Sequence, residues 1–376
     1  MTNKVLHIAP ENTAGVPYNV MQMQNMFGLP SRLLTLYKIP FNFPEDVCLD
    51  LPLPRSRLAM LWREFKQSSL HDEMSDKNID KWKHMPEFAP KNLLEKFYRN
   101  LREKKNEKKF LDALEGLNPD GFNIIHFDSG MDYYADSRLA KKWKKEGKKI
   151  INCYFGDDLR TRGIVKEMDE LSDLNLTFEY DHTLRHPNIN FLFFPFDNTA
   201  IKYIPDEEYN KKENAKLRIV HSPTHRIIKG TPEILTAIEK VKKSRDIEFI
   251  LLENMPREEV IRTKYTCHIA IDQIGNRGGT GYGINSLETL SMGLPTITAM
   301  NCGMDEWLPE NPFVIADADN IADKLIELID DEKLRMNKRN ESRAWVDKYH
   351  SYKSVFGKMM EYYLTANIIP AKAGIQ

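Results

Sequence analysis

Hydrophobic positions at the start of the chain predict a strand, a loop and a helix in that order. Val5 to Ile8 form a short apolar run, which is typical of a strand. Segment 9–17 is rich in turn-forming residues and predicts a loop. Apolar positions at helical spacing then follow through Val20 and Phe27. Such a start is the first unit of a doubly wound α/β domain.

The same alternation continues through the first half of the chain. One apolar face on a helix is indicated by Leu93, Leu94, Phe97, Leu101, Phe110 and Leu114. Prolines and charges break the pattern between 40 and 90, so we expect an irregular insertion with short helices there. Alternating strands and helices imply a parallel sheet. The predicted elements are helices over 91–114 and 137–148 and strands over 123–127, 149–154 and 191–197.

A second set of alternating elements begins at Leu217. Thr231 is predicted as an N-cap, with Pro232 in the first helical position. Gly293 and Pro295 mark the end of a later helix. The predicted strands are 217–221, 247–252, 267–274 and 296–299, and the predicted helices are 232–243, 256–265, a helix ending at Gly293, 321–329 and a final helical region to Leu364.

Two consecutive sets of this kind predict an α/β chain of two facing Rossmann-like domains, with a ligand cleft between their sheets. The length of 376 residues also suits two domains. We expect an N-terminal domain over 1–197 and a C-terminal domain over 198–345. Residues 346–376 are expected to form a further helical region, followed by a disordered tail from Ile368.

Charge and cysteine content exclude several classes of protein. The chain has 54 Lys and Arg against 55 Asp and Glu, whereas a nucleic-acid-binding domain normally has a basic excess. The cysteines show no CxxC spacing, which argues against a zinc site and against a disulfide framework. The sequence has neither a signal peptide's apolar stretch nor 18 consecutive apolar residues. We therefore expect a cytoplasmic enzyme with no membrane span.

The segment 278–295, GGTGYGINSLETLSMGLP, carries one candidate site. Glycines let a backbone approach a phosphate closely, and a helix N-terminus attracts negative charge. Glu288 lies on the next helical turn, where its carboxylate can accept hydrogen bonds from the two hydroxyls of a ribose. The alternative is a tight turn followed by an exposed glutamate.

The segment 221–231, HSPTHRIIKGT, carries a second candidate site. Arg226 and Lys229 lie between a predicted strand and a predicted helix. Two cations in such a loop can neutralise a diphosphate and stabilise it as a leaving group. The alternative is that both are solvated loop charges.

Together these segments resemble the C-terminal donor domain of GT-B glycosyltransferases, most of all the retaining family 4 type. The shared order is strand, HSPTHR and KGT, helix, LLENMPREEV, then DQIGNRGGTGYG and SLETLSMGLPTI across 217–300. IIHFDSG, YFGDDLRTRG and the FPFD linker are also similar in position, and the resemblance is weakest over 40–120. It implies transfer of a sugar from a nucleotide-diphosphate sugar to a glycan or lipid-linked acceptor, with retention of configuration and with no metal or other cofactor. The resemblance implies that the domain over 1–197 binds the acceptor, that the domain over 198–345 binds the donor, and that the helix of 346–376 returns to the first domain.

The resemblance also implies roles for individual residues. Arg226 and Lys229 would hold the donor's phosphates, and Glu288 would hold the ribose. The backbone from Gly281 to Ile284 would line the sugar-phosphate. The other residues of the implied donor site are Gly15, Thr224, Thr280, Tyr282 and Gly283. Gly15 would face the diphosphate from the first domain, although a plain turn glycine explains it equally well.

The chain departs from the family pattern at two positions. Thr280 stands where a first glutamate is usual, and we expect either that Asp272 takes over its charge or that none is needed. Phe155 stands where a histidine is usual, which leaves Asp158 and Arg160 as candidates. A loop ion pair with Arg162 is the alternative for both.

Two basic helices predict a surface that docks on anionic lipid, with a plain solvated face as the alternative. The cations concerned are Lys104, Lys105, Lys108, Lys141, Lys142 and Lys145. Two other functions stay open: a GT-B nucleotide-sugar epimerase, for which the sequence shows no glutamate–histidine set, and a nucleotide-sugar-binding protein that has lost activity.

Overall fold

The chain forms two compact α/β units. The computed structural model describes residues 3–39, 43–52, 87–88, 93–156, 158–213, 216–275, 279 and 281–370. Unit 1 contains the described residues up to Pro195 together with those from Tyr352 onward. Unit 2 contains the described residues of Phe196–Ser351. The changes of unit therefore fall at 195/196 and 351/352, against the predicted 197/198 and 345/346.

Unit 1 is built on a seven-stranded parallel sheet with the order β3-β2-β1-β4-β5-β6-β7. Its central strands are buried on both faces, and they carry the polar side chains of His7, His126, Asp128 and Asn152 among apolar ones. The strands are β1 (Val5–Glu11), β2 (Ser31–Tyr37), β3 (Val47–Cys48), β4 (Ile124–Asp128), β5 (Lys149–Tyr154), β6 (Leu174–Thr177) and β7 (Asn190–Phe191). The helices are α1 (Val16–Met26), α2 (Leu93–Gly116), α3 (Arg138–Lys145), α4 (Lys166–Leu171) and α5 (Tyr180–Arg185).

Unit 2 is built on a five-stranded parallel sheet with the order β12-β11-β10-β8-β9. The strands are β8 (Leu217–His221), β9 (Ile247–Leu251), β10 (Ile269–Ile271), β11 (Thr296–Thr298) and β12 (Val314–Ile315). The helices are α6 (Asp206–Glu213), α7 (Thr231–Lys242), α8 (Arg257–Lys264), α9 (Ile284–Met292), α10 (Met304–Trp307), α11 (Ile321–Asp330) and α12 (Glu332–Tyr349). The amphipathic α7 and α11 pack their apolar sides on the sheet.

The last helix, α13 (Tyr352–Thr365), belongs to unit 1. It packs on α1 and on the same face of the sheet as Val5, with Met359 and Tyr363 in the core. Ile368 and Ile369 are also buried there. The expectation of a disordered tail from Ile368 is therefore wrong for these residues, because two isoleucines join the core; the rest of that prediction, 371–376, lies outside the described residues.

Helix α2 corrects the predicted apolar face. Phe110 and Leu114 are buried, but Phe97 is 61% exposed and Leu101 is 49% exposed. Phe97 and Phe110 are separated by 13 positions. At about 100° per residue they point in directions that differ by roughly 140°. The predicted single apolar face is therefore two faces: Phe110 and Leu114 lie in the core, and Phe97 and Leu101 lie on an exposed side of the helix.

Other differences concern the ends of elements. The strand predicted over 191–197 is only Asn190–Phe191, and the one predicted over 267–274 is only Ile269–Ile271. Helix α7 is capped by Gly230 in a left-handed conformation, not by Thr231, whose hydroxyl pairs with His221. The irregular insertion predicted between 40 and 90 lies mostly outside the described residues.

A buried arginine joins the start of unit 2 to the last helix of that unit. Arg339 of α12 is fully buried, and its guanidinium donates to the carbonyls of Gly293 at 2.9 Å and Ile204 at 2.7 Å. It also bonds Asp206 at 2.9 Å and lies over the ring of Tyr209. Three separate segments depend on this one side chain.

Replacing this arginine should therefore destabilise unit 2. In Arg339→Met the apolar stem remains, but two buried carbonyls lose their donors and Asp206 loses its counter-ion. We expect the free energy of unfolding to fall by about 3 kcal/mol. Urea denaturation of Arg339→Met and of Lys333→Met, an exposed lysine of the same helix, provides the measurement. Equal stability of the two variants would contradict this role for Arg339.

Candidate functional site

The candidate residues of the second half lie at the carboxyl edge of the unit 2 sheet. Residues 222–230 connect β8 to α7, and residues 272–283 connect β10 to α9. β8 and β10 are hydrogen-bonded neighbours, so their following loops emerge side by side. This edge is where open α/β sheets bind ligands.

An ion pair between a partly exposed lysine and a buried carboxylate forms the centre of this edge. Lys229 Nζ lies 3.0 Å from Asp272 Oδ1 and 2.9 Å from Gln273 Oε1. Ser286 of α9 donates to Asp272 Oδ2 at 2.7 Å. Burial by itself would raise the pKa of Asp272, but the charge of Lys229 and the donors around the carboxylate outweigh it and lower the pKa to about 2. Asp272 is therefore a permanent anion whose side chain is 0% exposed.

The close approach of the two loops requires a glycine at one position. Gly230 has φ +66°, and a Cβ atom there would lie 1.9 Å from the carbonyl oxygen of Ile274. The amide of Ile274 in turn bonds the carbonyl of Lys229 at 3.2 Å. A side chain at 230 would therefore push apart the loops that carry Lys229 and Asp272.

A chain of polar contacts leads from Asp272 to Glu288. Asn285 Nδ2 donates to Asp272 Oδ1 at 3.0 Å, and Asn285 Oδ1 accepts from Lys264 Nζ at 2.6 Å. Lys264 Nζ also lies 2.7 Å from Glu288 Oε2. The other oxygen, Glu288 Oε1, lies 2.8 Å from a guanidinium nitrogen of Arg257. Glu288 is thus a buried, doubly paired carboxylate rather than an exposed glutamate.

Sequence reasoning missed Lys264 and Arg257. Both lie in the helix predicted over 256–265, here α8, where a lysine and an arginine are indistinguishable from solvated helical charges. The only signal was the position of Lys264 near a helix C-terminus, which favours a cation but does not indicate burial. Their partner Glu288 is 24 and 31 positions away along the chain.

Arg226 and Thr224 lie at the exposed rim of the same edge. The Arg226 guanidinium forms two bonds with the Glu253 carboxylate, at 2.7 and 2.6 Å. The hydrogen bond with Glu253 raises the pKa of Arg226, and the same bond lowers the pKa of Glu253. Arg226 is 54% exposed and Thr224 is also exposed. Lys229 and Arg226 therefore belong to one loop but pair with different carboxylates.

The glycine-rich loop is described only in part. Thr280 and residues 276–278 lie outside the described residues. Gly281 is buried, and a Cβ atom there would lie 2.5 Å from Met304 Sδ. The next side chain, Tyr282, points into an aromatic cluster with Phe313 and Trp345. Gly283 is the N-cap of α9, and Ile284 is the first residue of that helix.

The candidate residues of the first domain have local partners in unit 1. Gly15 has a left-handed φ of +75° and is the N-cap of α1. This is the conformation expected of a plain turn glycine. Asp158 Oδ2 accepts the amide of Phe155 at 2.8 Å, and its other oxygen lies 3.3 Å from Arg162. This is the loop ion pair that the sequence allowed as an alternative. Arg160 is instead paired with Asp181 in the interior.

One set in the described part of the chain combines atoms that could ligate a metal: His7, His126 and Asp128, all buried in unit 1. His7 Nδ1 lies 3.2 Å from Asp128 Oδ2, and His7 Nε2 lies 2.8 Å from Gln24 Oε1. His126 Nε2 bonds the hydroxyl of Tyr363. Burial, together with the charge of His7, lowers the pKa of His126 to about 4, so it is neutral at pH 7. These hydrogen bonds join β1, β4, α1 and α13.

The two basic helices differ in their surroundings. Lys141, Lys142 and Lys144 of α3 form ion pairs with Glu167, Glu146 and Asp173, whereas Lys145 is exposed. On α2, Lys104, Lys105 and Lys108 are exposed and have no ion-pair partner in the described part of the chain. The same side of α2 exposes Phe97, Leu101 and Leu111. None of the described helices is both long enough and apolar enough to cross a membrane.

Replacing Gly230 tests the close approach of the loops. Gly230→Ala adds a Cβ that meets a backbone oxygen and also strains a left-handed residue, so we expect a loss of about 2 kcal/mol in the stability of unit 2. Gly283→Ala is the control, because Gly283 has no atom within 4 Å of its added Cβ and no left-handed φ. Thermal unfolding of both variants provides the comparison. If the Gly230→Ala protein is as stable as the Gly283→Ala protein, the close approach of Gly230 to the Ile274 carbonyl is contradicted.

No protein-family profile matches the chain, and no curated protein sequence matches it. Solved structures do match its fold. A trehalose-phosphate synthase (UDP-forming) from Burkholderia vietnamiensis has a TM-score of 0.61 at 10% identity, covering 97% of this chain and 100% of that one. Anabaena Alr3699/HepE in complex with UDP-glucose has a TM-score of 0.55 at 10% identity, covering 96% and 99%.

An enzyme with another activity also shares the fold. A UDP-N-acetylglucosamine 2-epimerase has a TM-score of 0.50 at 10% identity, covering 98% of each chain. At such low identity these likenesses concern the arrangement of the backbone. The likeness extends over both α/β units, because at least 96% of this chain is covered in each case. The fold of this protein is GT-B.

Proposed function

We propose that this protein is a glycosyltransferase that takes a sugar from a nucleotide-diphosphate sugar bound by unit 2. The observation that carries the proposal is the chain of contacts Lys229–Asp272–Asn285–Lys264–Glu288. It places a cation and a carboxylate, the groups that suit a phosphate and a ribose, at the carboxyl edge of the sheet. Support also comes from the fold, which a protein in complex with UDP-glucose shares.

Each group has a proposed role in donor binding. Lys229 and Arg226 neutralise the diphosphate, and the positive end of the α9 dipole adds to them. Arg226 must exchange Glu253 for phosphate, which its exposed position permits. Glu288 accepts the ribose hydroxyls, and the backbone from Gly281 to Ile284 lines the sugar-phosphate.

Transfer then depends on stabilising the departing diphosphate. Fixed cations act most strongly on the charge that develops as the sugar–phosphate bond breaks. Asp272 accepts a hydrogen bond from Lys229 Nζ at 3.0 Å, so its proposed role is to position that lysine. Because the Asp272 carboxylate is 0% exposed, we do not assign it the charge of the glutamate replaced by Thr280. Retention of configuration and independence from metal belong to the same proposal.

Two other functions share this site. The epimerase neighbour makes nucleotide-sugar epimerisation the second candidate, and a protein that binds the donor without turnover is the third. A transferase or slow hydrolase releases nucleoside diphosphate from the sugar. An epimerase instead changes the sugar while the nucleotide stays attached, which nuclear magnetic resonance of the sugar protons detects. A binding protein does neither.

Thermal shift against UDP-, GDP-, ADP- and dTDP-glucose tests the donor site. A ligand at 100 times its Kd adds about 2.7 kcal/mol to the stability of the protein. We expect one nucleotide to raise the melting temperature, and expect Lys229→Ala and Glu288→Ala each to lose most of that ligand-dependent rise. Lys240→Ala, on the exposed side of α7, should retain it. The donor site is wrongly assigned if no nucleotide shifts the wild type, or if both site variants respond as Lys240→Ala does.

The acceptor is proposed to be a glycan or a lipid-linked glycan, reached by a cytoplasmic enzyme at an anionic membrane surface. Helix α2 is better suited than α3 to such docking. Its exposed lysines have apolar side chains beside them, whereas most cations of α3 are neutralised by carboxylates of unit 1. Each lysine near an anionic surface contributes about 1 kcal/mol, and apolar side chains add burial in the interface.

Sedimentation with vesicles tests this surface. We expect wild-type protein to bind phosphatidylcholine vesicles that contain phosphatidylserine, but not vesicles of phosphatidylcholine alone. Replacing Lys104, Lys105 and Lys108 together by glutamate should lower the binding more than tenfold. Replacing Lys141, Lys142 and Lys145 in the same way is the matched comparison and should have the smaller effect. Equal loss in both triple variants would contradict the assignment to α2.

A further inference from the structure

Lys264 is a buried ammonium group in the last turn of α8. Its side chain is 1% exposed. A lysine so far from water is costly to keep charged unless carboxylates and other acceptors surround it. Lys264 is therefore expected to have carboxylate or other acceptor groups around its Nζ.

Both partners of Lys264 come from the start of α9. Its Nζ lies 2.6 Å from Asn285 Oδ1 and 2.7 Å from Glu288 Oε2. Residues three apart on a helix lie on the same side, so a single ammonium group can hold both side chains at once. Ser222, from the loop after β8, donates to the same Asn285 oxygen at 2.6 Å.

The two oxygens of Glu288 are in different surroundings. Oε2 faces Lys264 in the interior, whereas Oε1 faces Arg257, whose side chain is 65% exposed. An exposed arginine can turn into solvent at little cost, but a buried lysine cannot. The inner contact of the carboxylate is therefore fixed, and the outer contact is exchangeable.

We propose that Lys264 is a positioning residue that orients Glu288 for a ribose, and that Arg257 is the group which the ribose hydroxyls displace. This rests on the proposed function of the site. Lys264 does not reach a ligand itself. It holds one carboxylate oxygen of Glu288 in the interior, so that the other oxygen points outward in one direction. That outer oxygen accepts a hydrogen bond from a ribose hydroxyl in place of the one from the Arg257 guanidinium.

The second shared partner extends the effect of Lys264. Asn285 joins Lys264 to Asp272, which pairs with Lys229. Loss of the Lys264 ammonium group would release the Asn285 carbonyl as well as Glu288. We expect the main effect at the ribose, since Asp272 keeps its contacts with Lys229 and Ser286.

Paired nucleotides separate this role from a merely structural one. Isothermal titration calorimetry would use UDP, GDP and ADP, each with its 2′-deoxy form. We expect wild-type protein to prefer the best-bound ribonucleotide over its deoxy form by about tenfold, which corresponds to the net contribution of one hydrogen bond from a hydroxyl. In Lys264→Met the preference should fall to about twofold, with the affinity for the deoxy form little changed. Lys264→Gln, which keeps a polar head, provides the measurement if Lys264→Met does not fold.

Two variants of α8 complete the design. Arg257→Met removes the competitor for Glu288 Oε1, so it should bind the ribonucleotide at least as tightly as wild type. Arg262→Met, an exposed change in the same helix, should alter nothing. If Lys264→Met weakens both nucleotide forms equally, its role is structural and the proposal is overturned. If Arg257→Met binds the ribonucleotide more weakly than wild type, the proposed displacement of Arg257 by the ribose hydroxyls is overturned.

The wild type alone separates failure of this proposal from failure of the proposed function. Wild-type protein that binds none of these nucleotides contradicts the nucleotide site itself. Wild-type protein that binds ribose and deoxyribose forms equally well keeps the site but overturns the role of Glu288 and Lys264. If wild type and Lys264→Met prefer the ribonucleotide over its deoxy form to the same degree, only the proposed role of Lys264 is overturned.

Discussion

A single carboxylate withdrawn from water organises the loop edge of unit 2. Asp272 is buried, and its charge persists only because Lys229, Asn285 and Ser286 surround it. These donors come from the β8–α7 loop and from the first turn of α9. The anion therefore holds together two segments that are far apart in sequence. It also holds the side chain of Lys229 in one place, so an anionic ligand would meet a preformed cation.

The arrangement of strands and helices could be predicted wherever apolar runs are long or bounded by glycine and proline. β8, β9, α7, α8 and α9 follow such runs closely. Short strands such as β3 and β7 could not be predicted, because two residues carry no periodicity and their pairing depends on the neighbouring strand. The face of α2 was misjudged because apolar residues were grouped over 22 positions without regard to helical rotation.

The candidate site could be located from sequence, but its internal pairing could not. Glycines and cations between a strand and a helix indicate an anion site at the residues concerned. Nothing local indicates that Arg226 turns to Glu253 while Lys229 turns to Asp272, since both carboxylates follow other strands. The burial of Lys264 is likewise a result of packing between α8 and α9. A run of cations on α3 looks like an exposed surface until the carboxylates of the neighbouring elements are known.

The return of α13 to unit 1 has a consequence for the order in which the chain becomes structured during synthesis. Unit 2 lies between two parts of unit 1, so all its strands leave the ribosome before Met359 and Tyr363 do. Until then, one apolar face of the first sheet is covered by α1 but not by α13, and His126 lacks the hydroxyl that bonds its Nε2. The half of the protein that begins first is thus the half that is completed last, and for the time needed to translate unit 2 its open face is a place where a nascent chain can aggregate or be held by a chaperone.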